Sequence, residues 1–305
     1  MKRIFVRGMS RSGGTLMVTV LDAHPDVAMS YEIYQNLLAP ADENDDRGPC
    51  LLKELQAATK GSIASGKSAY ARIEDPKVRT CAARAGRAGV EPPALLRLLK
   101  RHIADGYKLS CFRDRMLFIE RIAREKMRRE GKQHWGSKIA PIYRDLVELY
   151  PDAYILFMLR DGRDIAASRK NVGNFAQPIQ EIAGSWCNQI KKFKQWAGEA
   201  GGRARIVSYE KLTADPHGEL QGIMAFLDLP WDDTVMSFHD QDLTIYRNPT
   251  GHLSADQIKK PIFASSVRRW KRDLTGAEID VFESIAGDTL EELGYEVGID
   301  VAGDA

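Results

Sequence analysis

The pattern of apolar and polar residues at the start of the chain predicts a strand, a loop and a helix. The apolar run at residues 4–6 is typical of a short buried strand, which ends at Gly8. Apolar side chains then recur at helical spacing up to His24-Pro25, namely Leu16, Met17, Val20 and Leu21. The N–H groups of such a loop and of the helix N-terminus point inward, and the helix dipole favours negative charge. Residues 8–15 therefore predict a cradle for an anion.

Strand-type runs alternate with helical patterns along the rest of the chain. Strands are predicted at residues 27–29, 135–138, 153–159 and 204–208, the last two of the buried type. Helices are predicted to begin at residue 33, to dominate residues 76–130, and to span residues 50–60, 142–149, 162–170, 178–197, 220–227 and 277–293. The alternation predicts an α/β fold with a P-loop-type parallel β-sheet flanked by helices. We expect one domain over residues 1–305, with a mostly helical insertion at about residues 40–130.

The register of the loop at residues 8–15 limits what it can bind. A nucleoside-triphosphatase P-loop reads G-x-x-x-x-G-K-[ST], and Gly8, Gly13 and Thr15 occupy its places. Gly14 stands where the lysine belongs, and the loop's cation is Arg11. The loop can therefore hold a phosphate, but it lacks the lysine that binds the β- and γ-phosphates of a nucleoside triphosphate. The alternative is a glycine turn that only joins a strand to a packed helix.

A second basic cluster follows the strand at residues 153–159, where ligands of such sheets bind. Arg160 ends that strand, and Ser168 lies two helical turns further on. Together with Arg163 and Arg169 they form a possible phosphate clamp. Alternatively, the acidic residues nearby pair with these arginines in a structural network. Beside the first loop, this cluster suggests a ligand with two separated phosphate groups.

Composition indicates a globular protein and excludes few functions. Hydrophobic residues make up 44% and charged residues 28%, and the net charge of +2 gives no bulk electrostatic reason to bind nucleic acid. No apolar run reaches about 18 residues, and the four cysteines lack C-x-x-C spacing. We therefore expect no membrane span, no signal peptide, no metal site and a cytoplasmic location. The basic run at residues 121–129 could contact an acidic substrate, or be a solvated, ion-paired helix face.

Several motifs, in order along the chain, resemble those of one enzyme family. They lie at residues 11–17, 21–25, 159–163 with Ser168, 208–212, 254–261 and 269–270. These segments resemble the phosphosulfate loop, the 3′-phosphate motif, the adenine-contacting strand end and the closing loop of sulfotransferases. Such enzymes use 3′-phosphoadenosine 5′-phosphosulfate (PAPS) and release PAP. The similarity covers residues 1–36 and 135–295, and is greatest to the tyrosylprotein sulfotransferase branch.

The resemblance implies a role for each matched residue. The 5′-phosphosulfate would be held by Arg11, Ser12, Gly13, Gly14, Thr15 and Leu16. The rest of the nucleotide would be held by Arg160, Ser168, Tyr209, Lys260 and Arg269. Glu32 would be the general base, while Arg11, Lys138 and Ser254 would stabilise the transition state. No metal is implied, and Tyr34 departs from the family by standing in place of an arginine.

The resemblance predicts an O-sulfotransferase that acts on a hydroxyl-bearing acceptor and could form a homodimer. The acceptor could be a sugar, a peptide tyrosine, or a small-molecule alcohol or phenol. Two alternatives stay open, a P-loop kinase or NTPase, and a non-catalytic module that binds a nucleotide or polyanion. If Glu32 is not the base, His134 and His252 are the next candidates.

Overall fold

The first strand, loop and helix form where the apolar pattern predicts them. In the computed structural model, β1 spans Arg3–Gly8 and α1 spans Gly14–Ala23. The apolar run at residues 4–6 is fully buried. Helix α1 ends before His24, because the following proline disfavours a helical backbone there. The structure describes residues 1–42, 45–60, 69–139, 143–170, 177–247 and 256–298.

The sheet contains four further strands. They are β2 (Val27–Ser30), β3 (His134–Lys138), β4 (Tyr154–Leu159) and β5 (Ala204–Ser208). The strand order is β2-β3-β1-β4-β5. Strands β1 and β2 each pair parallel with β3, and β4 pairs parallel with β5. The predicted parallel α/β sheet is therefore confirmed.

Helices flank the sheet and fill most of the chain between the strands. They are α2 (Gly48–Lys60), α3 (Pro76–Arg87), α4 (Pro92–Ala104), α5 (Phe112–Arg129), α6 (Tyr143–Leu149), α7 (Gly162–Lys170), α8 (Ile179–Glu199), α9 (Tyr209–Ala214), α10 (Pro216–Phe226), α11 (Thr244–Arg247), α12 (Trp270–Asp273) and α13 (Gly276–Glu292). The short helices α9 and α12 were not predicted, because so few residues give no readable period. The helix predicted to begin at residue 33 is a single 3₁₀ turn at Gln35–Leu37. Residue 142, the predicted start of α6, lies outside the described residues.

Contacts within the chain define two compact units. The first comprises Met1–Val6, Thr15–Tyr154 and Asp232–Pro261. Its aromatic core has the Phe5 ring 5.6 Å from the ring of Trp135 and 5.6 Å from that of Tyr150. The single domain over residues 1–305 stays a prediction.

The second unit comprises Arg7–Gly14, Ile155–Trp231 and Ile262–Ala305. Its core contains Trp186 of α8, Trp270 of α12 and Phe282 of α13, all buried. The ring centroids of Trp186 and Phe282 are 6.0 Å apart. This core supports α7, the helix that follows β4 and carries Ser168.

Strand β5 is less buried than its apolar sequence predicts. Ile206, at the centre of the strand, is 37% exposed. Of the five residues of β5, Val207 alone is buried. The prediction of a buried strand at residues 204–208 is therefore wrong. Edge position alone does not explain this, because β2 at the other edge of the sheet is buried at all four residues. The reason is packing: the face of β5 that carries Ile206 is only partly covered.

The basic run in α5 forms ion pairs, as one of its two interpretations predicts. Arg121 pairs with Asp105 at 2.6 Å on the surface. Lys126 differs from that interpretation because it is buried, where its ammonium lies 3.1 Å from the buried Asp22 carboxylate. A buried charge of this kind requires a partner. This helix face therefore stabilises the fold as well as meeting solvent.

Candidate active site

The loop between β1 and α1 has two positions that only glycine fits. Gly13 has a φ of 91°, and a Cβ atom there would lie 2.6 Å from the Tyr209 ring. A Cβ atom on Gly8 would lie 2.9 Å from the Met158 side chain. Arg11 also has a positive φ of 78°, a conformation that costs about 1–3 kcal/mol in a residue other than glycine. The surrounding packing therefore holds the loop in one strained form.

Ser12 and the first turn of α1 provide hydrogen-bond donors. The Ser12 N–H donates to the Met9 carbonyl at 3.0 Å and closes a turn. The Ser12 hydroxyl is buried and has no hydrogen-bond partner among the described residues. Gly14, Thr15 and Leu16 are the first residues of α1, where N–H groups have no partner within the helix. These donors are suited to an anion.

Four of the predicted nucleotide-binding residues lie together in the second unit. Arg11 Nε donates to Ser168 Oγ at 2.9 Å, and Arg160 Nη1 donates to the Arg11 carbonyl at 3.0 Å. The Arg160 guanidinium lies over the Tyr209 ring, 4.4 Å from its centroid. The strand end, the loop and α9 thus bring two cations, a hydroxyl and an aromatic ring to one place.

Arg169 adds a third guanidinium to this cluster. It is buried, and its Nη1 donates to Gln177 Oε1 at 3.0 Å. Burial, and then the charge of Arg11, lowers the pKa of Arg169. The Nε atoms of Arg160 and Arg169 are buried without a hydrogen-bond partner in the part of the chain that the structure describes. The cluster therefore retains positive charge, and two of its N–H donors lack an acceptor among the described residues.

Asp164 neutralises this cluster only in part. Its Oδ2 lies 3.5 Å from Arg160 Nη2, and its two carboxylate oxygens also accept the N–H groups of Arg268 and Trp270 at 3.0 and 3.1 Å. Burial raises the pKa of Asp164 to about 6, although the charge of Arg160 acts in the opposite direction. Both carboxylate oxygens of Asp164 thus also accept hydrogen bonds from the backbone of residues 268–270.

Arg163 belongs to the structural network that was the alternative for these arginines. Its Nη2 lies 2.8 Å from Asp161 Oδ2, and its Nη1 lies 2.6 Å from Glu283 Oε1. The guanidinium also lies 3.9 Å from the centroid of the Trp270 ring. Burial lowers the pKa of Arg163, but the two carboxylates outweigh burial and raise it. Two carboxylates thus saturate Arg163, in contrast to Arg160 and Arg169.

Glu32 and Lys138 form an ion pair in the first unit. Lys138 ends β3, and its Nζ lies 2.5 Å from Glu32 Oε1 and 3.3 Å from Thr15 Oγ1. Burial lowers the pKa of Lys138, but Glu32 and then Tyr34 outweigh burial and raise it. Lys138 is therefore an ammonium at neutral pH, held beside the carboxylate predicted to be the base.

Asp22 anchors the backbone that precedes Glu32. Its Oδ1 accepts the Met29 N–H at 2.8 Å, and its Oδ2 accepts the Tyr31 hydroxyl at 2.9 Å. Burial, and then Asp22, raises the pKa of Tyr31 well above its usual value. Glu32 itself has a positive φ of 56°. The chain thus turns sharply at Glu32, immediately after an anchored residue.

Two arginines that sequence reasoning missed also contact Glu32. Arg84 Nη1 donates to the Glu32 carbonyl at 2.6 Å, and the Arg84 guanidinium lies over the Tyr34 ring at 4.9 Å. Arg87 Nη1 lies 3.8 Å from Glu32 Oε2. Both belong to α3, where a spacing of three places them on one face. That spacing is their only signal in the sequence, and it does not point to residue 32.

The remaining predicted residues are less tightly placed. The Arg269 guanidinium forms an ion pair with Asp273 at 2.6 Å. Lys260 is exposed and lies in a turn. Ser254 and His252 lie outside the described residues. His134 begins β3, at the opposite end of that strand from Lys138.

A family model described as "Sulfotransferase family" matches residues 3–233. The chain belongs to the sulfotransferase family. This sulfotransferase is 26% identical to the protein-tyrosine sulfotransferase of Drosophila melanogaster, over 97% of its own chain and 52% of the relative. It is 25% identical to protein-tyrosine sulfotransferase 2 of Gallus gallus, over 97% of its own chain and 70% of the relative. The predicted resemblance to the tyrosylprotein branch is thus confirmed, while the chain spans about half the length of the Drosophila relative.

A solved structure confirms the fold of this sulfotransferase. The sulfotransferase domain of the Synechococcus PCC 7002 olefin synthase matches it with a TM-score of 0.57. The match covers 94% of each chain at 17% identity. At that identity the comparison supports a shared fold and nothing finer.

The predicted cytoplasmic location of this sulfotransferase is wrong. The protein-tyrosine sulfotransferases among its relatives are Golgi membrane enzymes. The prediction rested on the expected absence of a signal peptide and of a long apolar run, and such absences do not specify a compartment. Among the residues that the structure describes, no helix has both the length and the apolar character to cross a bilayer.

Proposed function

We propose that this sulfotransferase moves the sulfuryl group of PAPS to an acceptor hydroxyl, and releases PAP and a sulfate ester. The observation that carries the choice of co-substrate is a set of buried donors, in the loop and the arginine cluster, that lack a hydrogen-bond partner among the described residues. These are Ser12 Oγ, Arg160 Nε and Arg169 Nε. Oxygens of phosphate groups are the acceptors that such donors and guanidinium groups fit best. PAPS carries such groups at two positions, and supplies the activated sulfuryl group.

Each part of the nucleotide has residues suited to it. Residues 12–16, with Arg11, offer N–H groups and charge to the 5′-phosphosulfate. Arg160, Ser168 and Arg169 offer a guanidinium clamp to the 3′-phosphate, and Tyr209 offers a ring to adenine. Arg269 and Lys260 would contribute from the C-terminal segment, Arg269 by exchanging its bond to Asp273. Gly14 in place of lysine disfavours a nucleoside triphosphate.

The chemistry assigns one task to each catalytic residue. Glu32 takes the proton of the acceptor hydroxyl as that oxygen bonds to sulfur. The bond between sulfur and the 5′-phosphate oxygen of the nucleotide breaks, and the electron pair stays on that oxygen. Lys138 and Arg11, with Ser254, stabilise the growing charge. These fixed cations do what a metal ion does in phosphoryl transfer, so the proposed reaction needs no metal.

The acceptor is a hydroxyl of a peptide tyrosine, a sugar, or a small-molecule alcohol or phenol. The similarity to protein-tyrosine sulfotransferases favours tyrosine, while Tyr34 is a departure from that branch at the position two residues after the base. A screen of these acceptors with labelled PAPS identifies the class. Labelled sulfate esters of one class only would define the acceptor.

We expect tight binding of PAP and weak binding of ATP, measured by calorimetric titration. The expectation follows from two phosphate sites combined with a loop that lacks the P-loop lysine. We also expect transfer from labelled PAPS to persist in EDTA. Equal or tighter affinity for ATP, or activity that EDTA abolishes and Mg²⁺ restores, would favour a kinase and contradict the proposal.

We expect Arg160→Ala to weaken PAP binding more than it weakens binding of adenosine 5′-phosphosulfate, which lacks the 3′-phosphate. Loss of a charge-assisted clamp costs about 1.5–3 kcal/mol. Arg205→Ala is a suitable control, because Arg205 lies in the same unit and pairs with Glu219 at 3.3 Å, away from the cluster. Equal losses for the two nucleotides would show that Arg160 only supports the loop.

A further inference from the structure

Helix α3 brings two guanidinium groups to the backbone and the side chain of Glu32. Arg84 Nη1 lies 2.6 Å from the Glu32 carbonyl oxygen, and Arg87 Nη1 lies 3.8 Å from Glu32 Oε2. Glu32 Oε1 faces Lys138 Nζ at 2.5 Å. The carboxylate is therefore held between two cations from different elements, while a third cation holds its carbonyl.

The backbone at Glu32 needs such support. Its φ of 56° lies in the left-handed region, which a residue with a long side chain rarely adopts without external contacts. On one side, Tyr31 is anchored by its hydroxyl to Asp22 at 2.9 Å. On the other side, the Arg84 guanidinium lies 4.9 Å over the ring of Tyr34. Arg84 therefore fixes the carbonyl of Glu32 and the residue that follows the turn.

Arg87 acts on the carboxylate itself. It is buried, and burial, followed by the repulsion of Arg84, lowers the pKa of Arg87, while Glu32 opposes that shift. A buried arginine between a like charge and a carboxylate is oriented toward the carboxylate by electrostatics. Among the described residues, the cations that contact Glu32 include Lys138 from β3 and Arg84 and Arg87 from α3, while the Tyr34 side chain faces Lys138.

We propose that Arg84 and Arg87 are positioning residues for Glu32, Arg84 through its carbonyl and Arg87 through its carboxylate. The proposal rests on the proposed function, in which Glu32 is the general base. It gives part of the helical insertion a task in catalysis. Misplacement of a catalytic group by about 1 Å can cost ~10²-fold in rate, so a positioning contact is measurable.

The test compares arginines on the same helix. We expect Arg84→Met to lower kcat by about 10–100-fold, with PAP affinity unchanged, because the base is displaced and the nucleotide site is not. Arg79→Met is the matched control, since Arg79 Nε donates to the Ile73 carbonyl at 2.7 Å and does not contact Glu32 in the described structure. Arg84→Lys keeps a cation and a donor, and should recover part of the rate. Equal kcat in the Arg84→Met and Arg79→Met variants would overturn the proposal.

A double-mutant cycle separates positioning from general stability. If Arg84 acts through Glu32, Arg84→Met should have little further effect on kcat in a Glu32→Gln background. A multiplicative loss of kcat in the double variant would overturn the role of Arg84. Normal turnover in Glu32→Gln alone would instead overturn the proposed base, so the two failures are distinguishable.

For Arg87 the informative measurement is the pH–rate profile. Arg87→Gln removes a cation that favours the ionised carboxylate, so the acid limb of kcat/KM should move to higher pH. Thermal unfolding of the same variant reports any loss of fold separately. An unchanged acid limb in a folded variant would show that Arg87 has no influence on the base.

Discussion

Glu32→Gln is expected to lower kcat by ~10²–10⁴, because glutamine keeps the shape of glutamate but cannot accept the acceptor's proton. The affinity for PAPS should hardly change, since the proposed nucleotide contacts come from the Arg160 cluster and the loop. An acceptor with a more acidic hydroxyl should lose less rate than a sugar, because its proton needs less help. Single-turnover transfer from labelled PAPS measures the effect on chemistry directly.

Glu125→Gln is a suitable control for this variant. Glu125 pairs with Arg129 at 2.8 Å on α5, so its replacement tests a charge change without touching the ion pair of Glu32. Near wild-type turnover on a sugar acceptor would remove Glu32 from the mechanism. His134 and His252 would then be tested, although His134 begins β3 at the end opposite Lys138.

Lys138→Met is expected to lower kcat by ~10²–10³, about 3–4 kcal/mol, because the bridging oxygen loses a fixed cation in the transition state. The structure adds a second reason. Lys138 Nζ also donates to Glu32 Oε1 at 2.5 Å. The variant therefore loses a contact that orients the carboxylate of the proposed base. The kcat of the variant, measured at saturating PAPS, is the value that should fall.

Lys194→Met is a suitable control for Lys138→Met. Lys194 lies 2.5 Å from Glu292 Oε1, so it is also an ion-paired lysine, but its partner has no contact with Glu32 among the described residues. A variant of Lys138 that loses PAP affinity and keeps kcat would show that this lysine binds the nucleotide and does not serve the transition state.

The strand–loop–helix motif and the Arg160 cluster could be predicted because they depend on local order. Arg160 follows the most apolar strand, and Ser168 comes two turns later on the helix that begins at residue 162. The connection between β4 and α7 is only two residues long, so Arg160 lies at the start of the helix that carries Ser168. Regularity of this kind is visible in one sequence.

The meeting of Glu32 and Lys138 could not be derived from spacing. It depends on the parallel register of β2 and β3, which pairs Ser30 with Ser137 and so places the two strand ends side by side. The resemblance supplied both residues, and the ladder explains why they meet. Arg84 had no such guide, because α3 approaches Glu32 through tertiary packing, and none of the motifs recognised in the sequence lies in α3.

The burial of β5 was misjudged for a related reason. An apolar run shows that a strand can be buried, but tertiary packing decides which faces of the sheet are covered. The two edge strands differ in this respect, since β2 is buried throughout while Ile206 of β5 stays 37% exposed.

The proximity of Arg11 and Arg169 has a consequence for the evolution of this chain. Arg11 is half-buried and close enough to the buried Arg169 to lower its pKa, and such proximity of like charges destabilises the folded state. Arg11 also has a strained backbone with a φ of 78°. Substitutions that remove either charge would therefore stabilise the folded state, but they would also remove part of an anion site. Selection for thermal stability alone would favour such substitutions and lead to a more stable protein without activity. Both arginines are present in this chain despite that cost, as expected of a protein selected for what it binds at the expense of how firmly it folds.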